Sequence, residues 1–181
     1  MQKNQFARLA ALSLAGVLSQ GVFAAPDGVI NFTGEITDAP CSVSPASQNM
    51  TVPLGNVSRT QLDGAVGKKG PNPADFSIDL LACGPSAKGA TVSFAGVPDA
   101  IDATTLAVSN AGLVGVEKAN GVAVEIADST GTKIPLGSES QEYILGVGDN
   151  SLKFQANYVA TQSTVTVGPA NAIAQFTVAY P

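Results

Sequence analysis

The sequence predicts an all-β sandwich, on three observations. Short stretches alternate apolar and polar residues, the two-residue period of a half-buried strand. Gly, Pro, Asn and Asp punctuate these stretches at short intervals. No helical period is sustained in the body of the chain, so packed sheets of short strands are the architecture that buries such faces. Composition agrees: of 181 residues only 13% are charged, and Ala, Gly, Val, Thr and Ser are abundant.

In chain order, residues 1–24 read as a leader removed on export. Lys3 and Arg8 give a positive start, residues 9–18 an apolar run, and Val22-Phe23-Ala24 the small residues that a signal peptidase reads. The run is too short and wrongly flanked to span a bilayer. No later stretch approaches roughly 18 unbroken apolar residues. Cleavage after Ala24 leaves 157 residues, one domain's worth, with 7 basic and 14 acidic side chains and a net charge near −7. An acidic chain without a basic cluster argues against nucleic acid and anionic membrane as partners.

Residues 28–36 open the mature chain with an alternating strand. Gly28, Ile30, Phe32, Gly34 and Ile36 share one small, apolar face; Val29, Asn31, Thr33 and Glu35 share the other. Chain ends are loose unless something ties them down. The segment is therefore either the domain's own first strand or a spare strand shaped for another molecule's groove. From Ile36 onward the chain is expected to join its own sheet. Cys41 and Cys83 are the two cysteines, an even count that reads as a disulfide in an exported chain. The bridge would close a loop of about 40 residues and contribute roughly 4 kcal/mol in the chain-entropy account.

The remaining elements follow from pattern and punctuation. Residues 42–44 continue a strand up to Pro45, and residues 51–55, interrupted by Pro53, read as an edge segment. Residues 56–73 read as a long surface loop with one helical turn near residues 59–62. Residues 76–80 alternate into Cys83 as a core strand, residues 84–89 turn, and residues 91–94 form the next strand. Residues 99–102 are loop and residues 106–108 a weak strand. Residues 121–126 put Val122, Val124 and Ile126 on one face before a turn at residues 128–131, and residues 134–136 follow. Leu152, Phe154, Ala156 and Tyr158 alternate strongly, residues 164–167 lead to Gly168-Pro169, and Ala174, Phe176, Val178 and Tyr180 alternate up to Pro181. A long, apolar, unblunted edge strand invites pairing with another chain. A sheet short of one member, beside a spare strand of matching pattern, suggests exchange between molecules.

The runs GVINFTGEITDAPCSV, FSIDLLAC, SLKFQANYVA and AIAQFTVAY resemble the chaperone–usher pilins of the type 1 fimbrial family, over essentially the whole mature chain. The resemblance implies an incomplete immunoglobulin-like sandwich (residues 36–181) lacking its last strand, preceded by an N-terminal extension (residues 25–35). In that family a periplasmic chaperone lends a strand during export, and the next subunit's extension replaces it in the fibre. Carried over, Gly28, Ile30, Phe32, Gly34 and Ile36 form the donor strand, with Gly34 at a shallow pocket. Cys41 and Cys83 match the family's bridge. Phe176, Val178 and Tyr180 match the last strand beside the groove. The implied partners are other pilin subunits, the periplasmic chaperone, an outer-membrane usher and a host receptor met through the fibre tip. The implied location is the bacterial surface, reached through the periplasm. The stretch before Gly28 is short, which leaves open a major subunit or a minor adaptor or terminator.

Catalytic chemistry is not expected. With no His, neither a Ser-His-Asp nor a Cys-His arrangement can be built. Residues 64–70 suggest a phosphate loop but fail its spacing, with Leu62 where the first Gly belongs and Lys69 where Ser or Thr belongs. Asp99 with Asp102, and Glu139 with Glu142, read as surface charges rather than calcium ligands. No cofactor or metal is expected. A sugar-binding tip adhesin would need an additional lectin domain. A self-complete immunoglobulin-like binding module is the remaining alternative.

Overall fold

The computed structural model describes residues 30, 31, 33, 34, 36 and 40–181. The chain divides into two units, residues 1–37 and 38–181. In the first unit Ile30, Asn31, Thr33, Gly34 and Ile36 are exposed and outside regular structure. Gly28 and Phe32, the other members of the apolar stripe, lie outside the described residues, as does the leader. Ile36 does not open a strand as expected; among the described residues the first ladder pair is Ser42 with Leu81. Pro40 stands between the two, and proline withholds a ladder donor.

The second unit is a two-sheet sandwich. Its elements are β1 (Ser42–Val43), α1 (Pro45–Gln48), α2 (Arg59–Leu62), β2 (Ala74–Cys83), β3 (Gly89–Gly96), β4 (Leu106–Ala107), β5 (Val122–Asp128), β6 (Tyr143–Ile144), β7 (Gly148–Ala160) and β8 (Ala174–Ala179). One sheet runs β1-β2-β7-β5-β4 and the other β6-β3-β8, every neighbouring pair antiparallel. Within this unit the alternating strands expected at residues 76–80, 91–94, 121–126, 152–158 and 174–180 are present, and β2, β3 and β7 extend beyond their patterned cores. The helical turn at Arg59–Leu62 is present and buries Leu62. The turn α1 and the two-residue β6 carry no pattern of their own. Residues 164–167 form no strand, though Val165 is buried and its N–H donates to Asp63 Oδ1 at 2.9 Å.

Inward-facing residues of both sheets make the core. Ile78, Leu80, Leu152, Phe154, Val124 and Ile126 come from the larger sheet; Ala90, Val92 and Phe94 come from the smaller. Phe154 sits at the centre, with ring centroids 5.5 Å from Phe76, 5.2 Å from Phe94 and 5.4 Å from Tyr143. The opposite face of β5 is also covered, so Ala123, Glu125 and Ala127 are buried too. A buried carboxylate is tolerable only when paired. Glu125 receives Lys69 Nζ at 2.5 Å, with Lys133 Nζ at 3.8 Å. That pairing draws the loop before β2 across the sheet, where Lys69 bridges to Val159.

The two ends of the sandwich are distinct. Cys41 is bonded to Cys83, 42 residues on. β2 finishes at Cys83, opposite Gly148, and residues 84–88 lead directly into β3, which pairs Gly89 with Ile144 and Thr91 with Ala179. The disulfide, the β6–β7 turn and the close of β8 therefore share one end. The pairs Val122–Ala160 and Gly96–Ala174 mark the far end. There Ser109 pairs with Asn171, and Ala119 N–H donates to Pro169 O.

Candidate functional site

The site grows from the edge of β8. Along this strand Phe176 and Val178 face inward, with Tyr180 beyond its end, yet all three remain half-exposed. Their partners on β3 are fully buried: Val178 stands opposite Val92 and Phe176 opposite Phe94. The backbone shows the same asymmetry. Val92 O accepts from Ser140 N–H, and Phe94 O accepts from Gly137 N–H, both on the side away from β8. In an antiparallel ladder, residues opposite such positions turn their own N–H and C=O outward. Phe176 and Val178 thus direct their backbone groups to the outer edge of β8, where no strand pairs with them among the described residues.

Residues 51–55 line the groove across from that edge. They were expected as an edge strand, but among the described residues no backbone hydrogen bond joins them to a neighbour. Pro53 removes one ladder donor from the segment. The edge of β8 and residues 51–55, both without backbone partners among the described residues, therefore flank one groove. Its larger lobe, about 540 Å³, lies between Met50–Gly55 and Ala170–Phe176, with Phe76, Ile78, Phe94 and Ile126 beneath. A second lobe of about 380 Å³ continues toward the far end between Asn56–Leu62 and Val165–Asn171.

Gly55, Tyr158, Ala170 and Asn171 line both lobes and form the neck between them. The Tyr158 hydroxyl donates to Ala170 O at 2.8 Å, fixing the ring across the groove. Partial burial pushes the phenol above its usual pKa, so it stays a donor at neutral pH. The larger lobe is lined mainly by apolar side chains, with Thr51 and Asn171 among them, and the second lobe adds Asn56, Arg59 and Thr166; the wall contains Phe76, which the alternation alone would bury. Phe76 is only half-buried because the groove opens over it.

Phe176, Val178 and Tyr180 are all half-buried against the core, and of the three Phe176 lines the groove. Ile30, Gly34 and Ile36 are exposed and outside regular structure. The opposing wall at residues 51–55, the neck at Tyr158 and the small residues Ala170 and Ala172 had no assigned role in the sequence reading. The spacing Ala170, Ala172, Ala174 is a two-residue repeat that could have extended the stripe. Among the described residues no cluster of three or more His, Cys, Asp or Glu side chains could hold a metal.

The Fimbrial protein family profile matches residues 30–181. The chain belongs to the fimbrial protein family. The pilin is 40% identical over 173 residues to the long polar fimbria protein A of Salmonella typhimurium, covering 94% of each chain. It is 42% identical over 173 residues to the probable major fimbrial subunit LpfA of Escherichia coli, again with 94% of each covered. A Burkholderia pseudomallei antigen and type I fimbria protein of known structure is 39% identical, with a TM-score of 0.59 over 84% of this chain and 97% of that one. The P pilus rod subunit PapA shares the fold at 23% identity, with a TM-score of 0.64 over 79% of this chain and 100% of that one. The pilin is an immunoglobulin-like structural subunit of a cell-surface fimbria.

Proposed function

We propose that the groove beside β8 receives residues 28–36 of another pilin, and that this exchange of strands builds the fibre. The observation that carries the reading is the open edge of β8 facing the unpaired residues 51–55. One inserted strand would satisfy both. Ile30, Phe32 and Ile36 would each contribute roughly 1.5–3 kcal/mol on full burial. Each ladder bond adds about 0.5–1.5 kcal/mol net.

Direction follows from connectivity. The extension joins the domain at Cys41, at the end where β8 finishes. A strand lying parallel to β8 would leave the groove at that same end, where the acceptor's own extension departs. An antiparallel strand leaves at the far end, so domains follow one another and the fibre lengthens. In that sense Ile36 fills the lobe beyond Tyr158, Gly34 crosses the neck, and Phe32 and Ile30 occupy the larger lobe.

Before assembly the same edge would be covered by a strand from a periplasmic chaperone, with delivery through an outer-membrane usher. Residues 1–24 direct the chain into the periplasm and are removed. The reading gives the protein an adhesive, structural role and no catalytic one. Co-expression with its chaperone and usher tests it. The intact chain gives a multimer ladder on unboiled SDS gels that collapses on boiling. A chain lacking residues 25–34 folds onto the chaperone but gives no ladder. Normal fibres from that deletion would refute the exchange.

A further inference from the structure

Among the exposed large apolar side chains of the domain, two groups stand at its opposite ends. At the disulfide end, the β6–β7 turn carries Ile144, 91% exposed, and Val147, 75% exposed. At the far end, residues 110–119 form a loop that carries Leu113, Val114 and Val116 into solvent, Val114 at 98%. The loop is held in this outward pose. Asn110 Nδ2 donates to the carbonyls of Leu113 and Val116, both at 3.0 Å, and Lys118 Nζ donates to Val108 O at 3.1 Å. Gly168 lies against the backbone of residues 117–119, which sets the exposed Val167 beside the same loop. These side chains belong neither to the core nor to the groove wall, apart from Val167 at the lip of the second lobe.

The reach of the chain brings the two patches together. Only residues 37–40 separate Ile36 from Cys41, and an extended chain covers at most roughly 3.6 Å per residue, or about 18 Å across those five steps. If the donor strand ends in the far lobe of its acceptor, the donor's disulfide end must stand within about 18 Å of the acceptor's far end. The turn with Ile144 and Val147 then faces the loop with Val114 and Val116. The two patches differ, so the contact is heterologous and repeats along an open chain rather than closing a dimer.

We infer that this pilin makes a second, end-to-end contact with the next copy of itself, in which the β6–β7 turn of one subunit packs on residues 110–119 and Val167 of the subunit that accepts its strand. The inference rests on strand exchange in the antiparallel sense. Large apolar side chains grouped in solvent are the kind of surface that marks a protein–protein contact. The contact fixes the angle between successive domains.

Disulfide trapping in assembled fibres tests it. The chain has two cysteines and both are bonded to each other, so introduced thiols report without background. The test variants combine Val147→Cys with Val114→Cys and, independently, Ile144→Cys with Val116→Cys. The comparison variant combines Val147→Cys with Ile101→Cys, since Ile101 is 62% exposed but lies in the loop before β4. After mild oxidation, at least one end-to-end pair should give a ladder that survives boiling and collapses with reductant. The comparison variant should collapse on boiling alone. An unboiled ladder that collapses on boiling for both end-to-end pairs would overturn the contact while leaving strand exchange standing. An equally resistant ladder from the comparison variant would overturn it too. No unboiled ladder from the unaltered chain would remove strand exchange, and this contact with it.

Discussion

The neck at Tyr158 makes a quantitative demand on Gly34. In the free extension an added Cβ at residue 34 meets nothing within 4 Å, so Gly34→Val leaves the subunit itself undisturbed. In the groove the same side chain would have to share the neck with a ring held by its hydroxyl to Ala170 O. Overfilling a packed site costs about 1–3 kcal/mol. At 1.4 kcal/mol per factor of ten, the substitution should weaken strand insertion roughly 5- to 150-fold. The measurement is the affinity of a peptide of residues 25–38, with and without the change, for a pilin lacking its own extension. Tyr158→Ala in the acceptor opens the neck and should recover much of the loss. The coupling from the double-mutant cycle would then be of order 1 kcal/mol or more. Equal affinity of the two peptides for the unaltered acceptor would refute the placement of Gly34 at the neck.

Replacing Cys41 and Cys83 with Ser should destabilise the strand-complemented domain by roughly 4 kcal/mol, measured by guanidinium unfolding with and without reductant on the parent. Phe154→Ala removes a ring that is 1% exposed and touches three other aromatic rings. It should cost about 3–5 kcal/mol, read from the same unfolding curves. The Thr130 hydroxyl and the backbone N–H groups of Thr130 and Thr132 hold Asp128 below the usual carboxylate range, and the Thr104 hydroxyl and Lys133 do the same for Asp102. A carboxyl with a lower pKa folded than unfolded stabilises the fold above its unfolded value and loses that contribution as pH falls through the folded one. Stability should therefore be level near neutrality and decline below about pH 4. Asp128→Asn should flatten that decline in urea titrations run at several pH values.

How much was legible depended on whether a residue's neighbours lay close in the chain. Alternation located Phe154, Leu152, Val92 and Phe94, because a two-residue period is a local signal. The turn at Arg59–Leu62 was legible for the same reason. The second burial of β5 was not: Ala123, Glu125 and Ala127 look like a solvent face until Lys69, 56 residues away, is laid across them. At the site, the stripe Phe176, Val178 and Tyr180 was visible in the sequence. The wall at residues 51–55 was visible only as an awkward strand with Pro53 inside it. Nothing local says that its backbone meets no partner among the described residues. Tyr158 shows the limit most plainly. Its alternation marks it as core, and only the bond to Ala170 O, twelve residues on, turns it into a constriction.

The disulfide acquires a mechanical meaning once the extension is the tether between subunits. Tension arriving along the extension reaches the domain at Cys41, just before β1, which holds only two ladder pairs and would unzip under small loads. The sulfur bridge passes that pull instead into Cys83 and so into β2, ten residues long and flanked by β1 and β7. Its hydrogen bonds to β7 lie across the strand, so a pull along it loads them together in shear. A tethered cell would be held by a covalent bond and a whole strand rather than by a frayed edge.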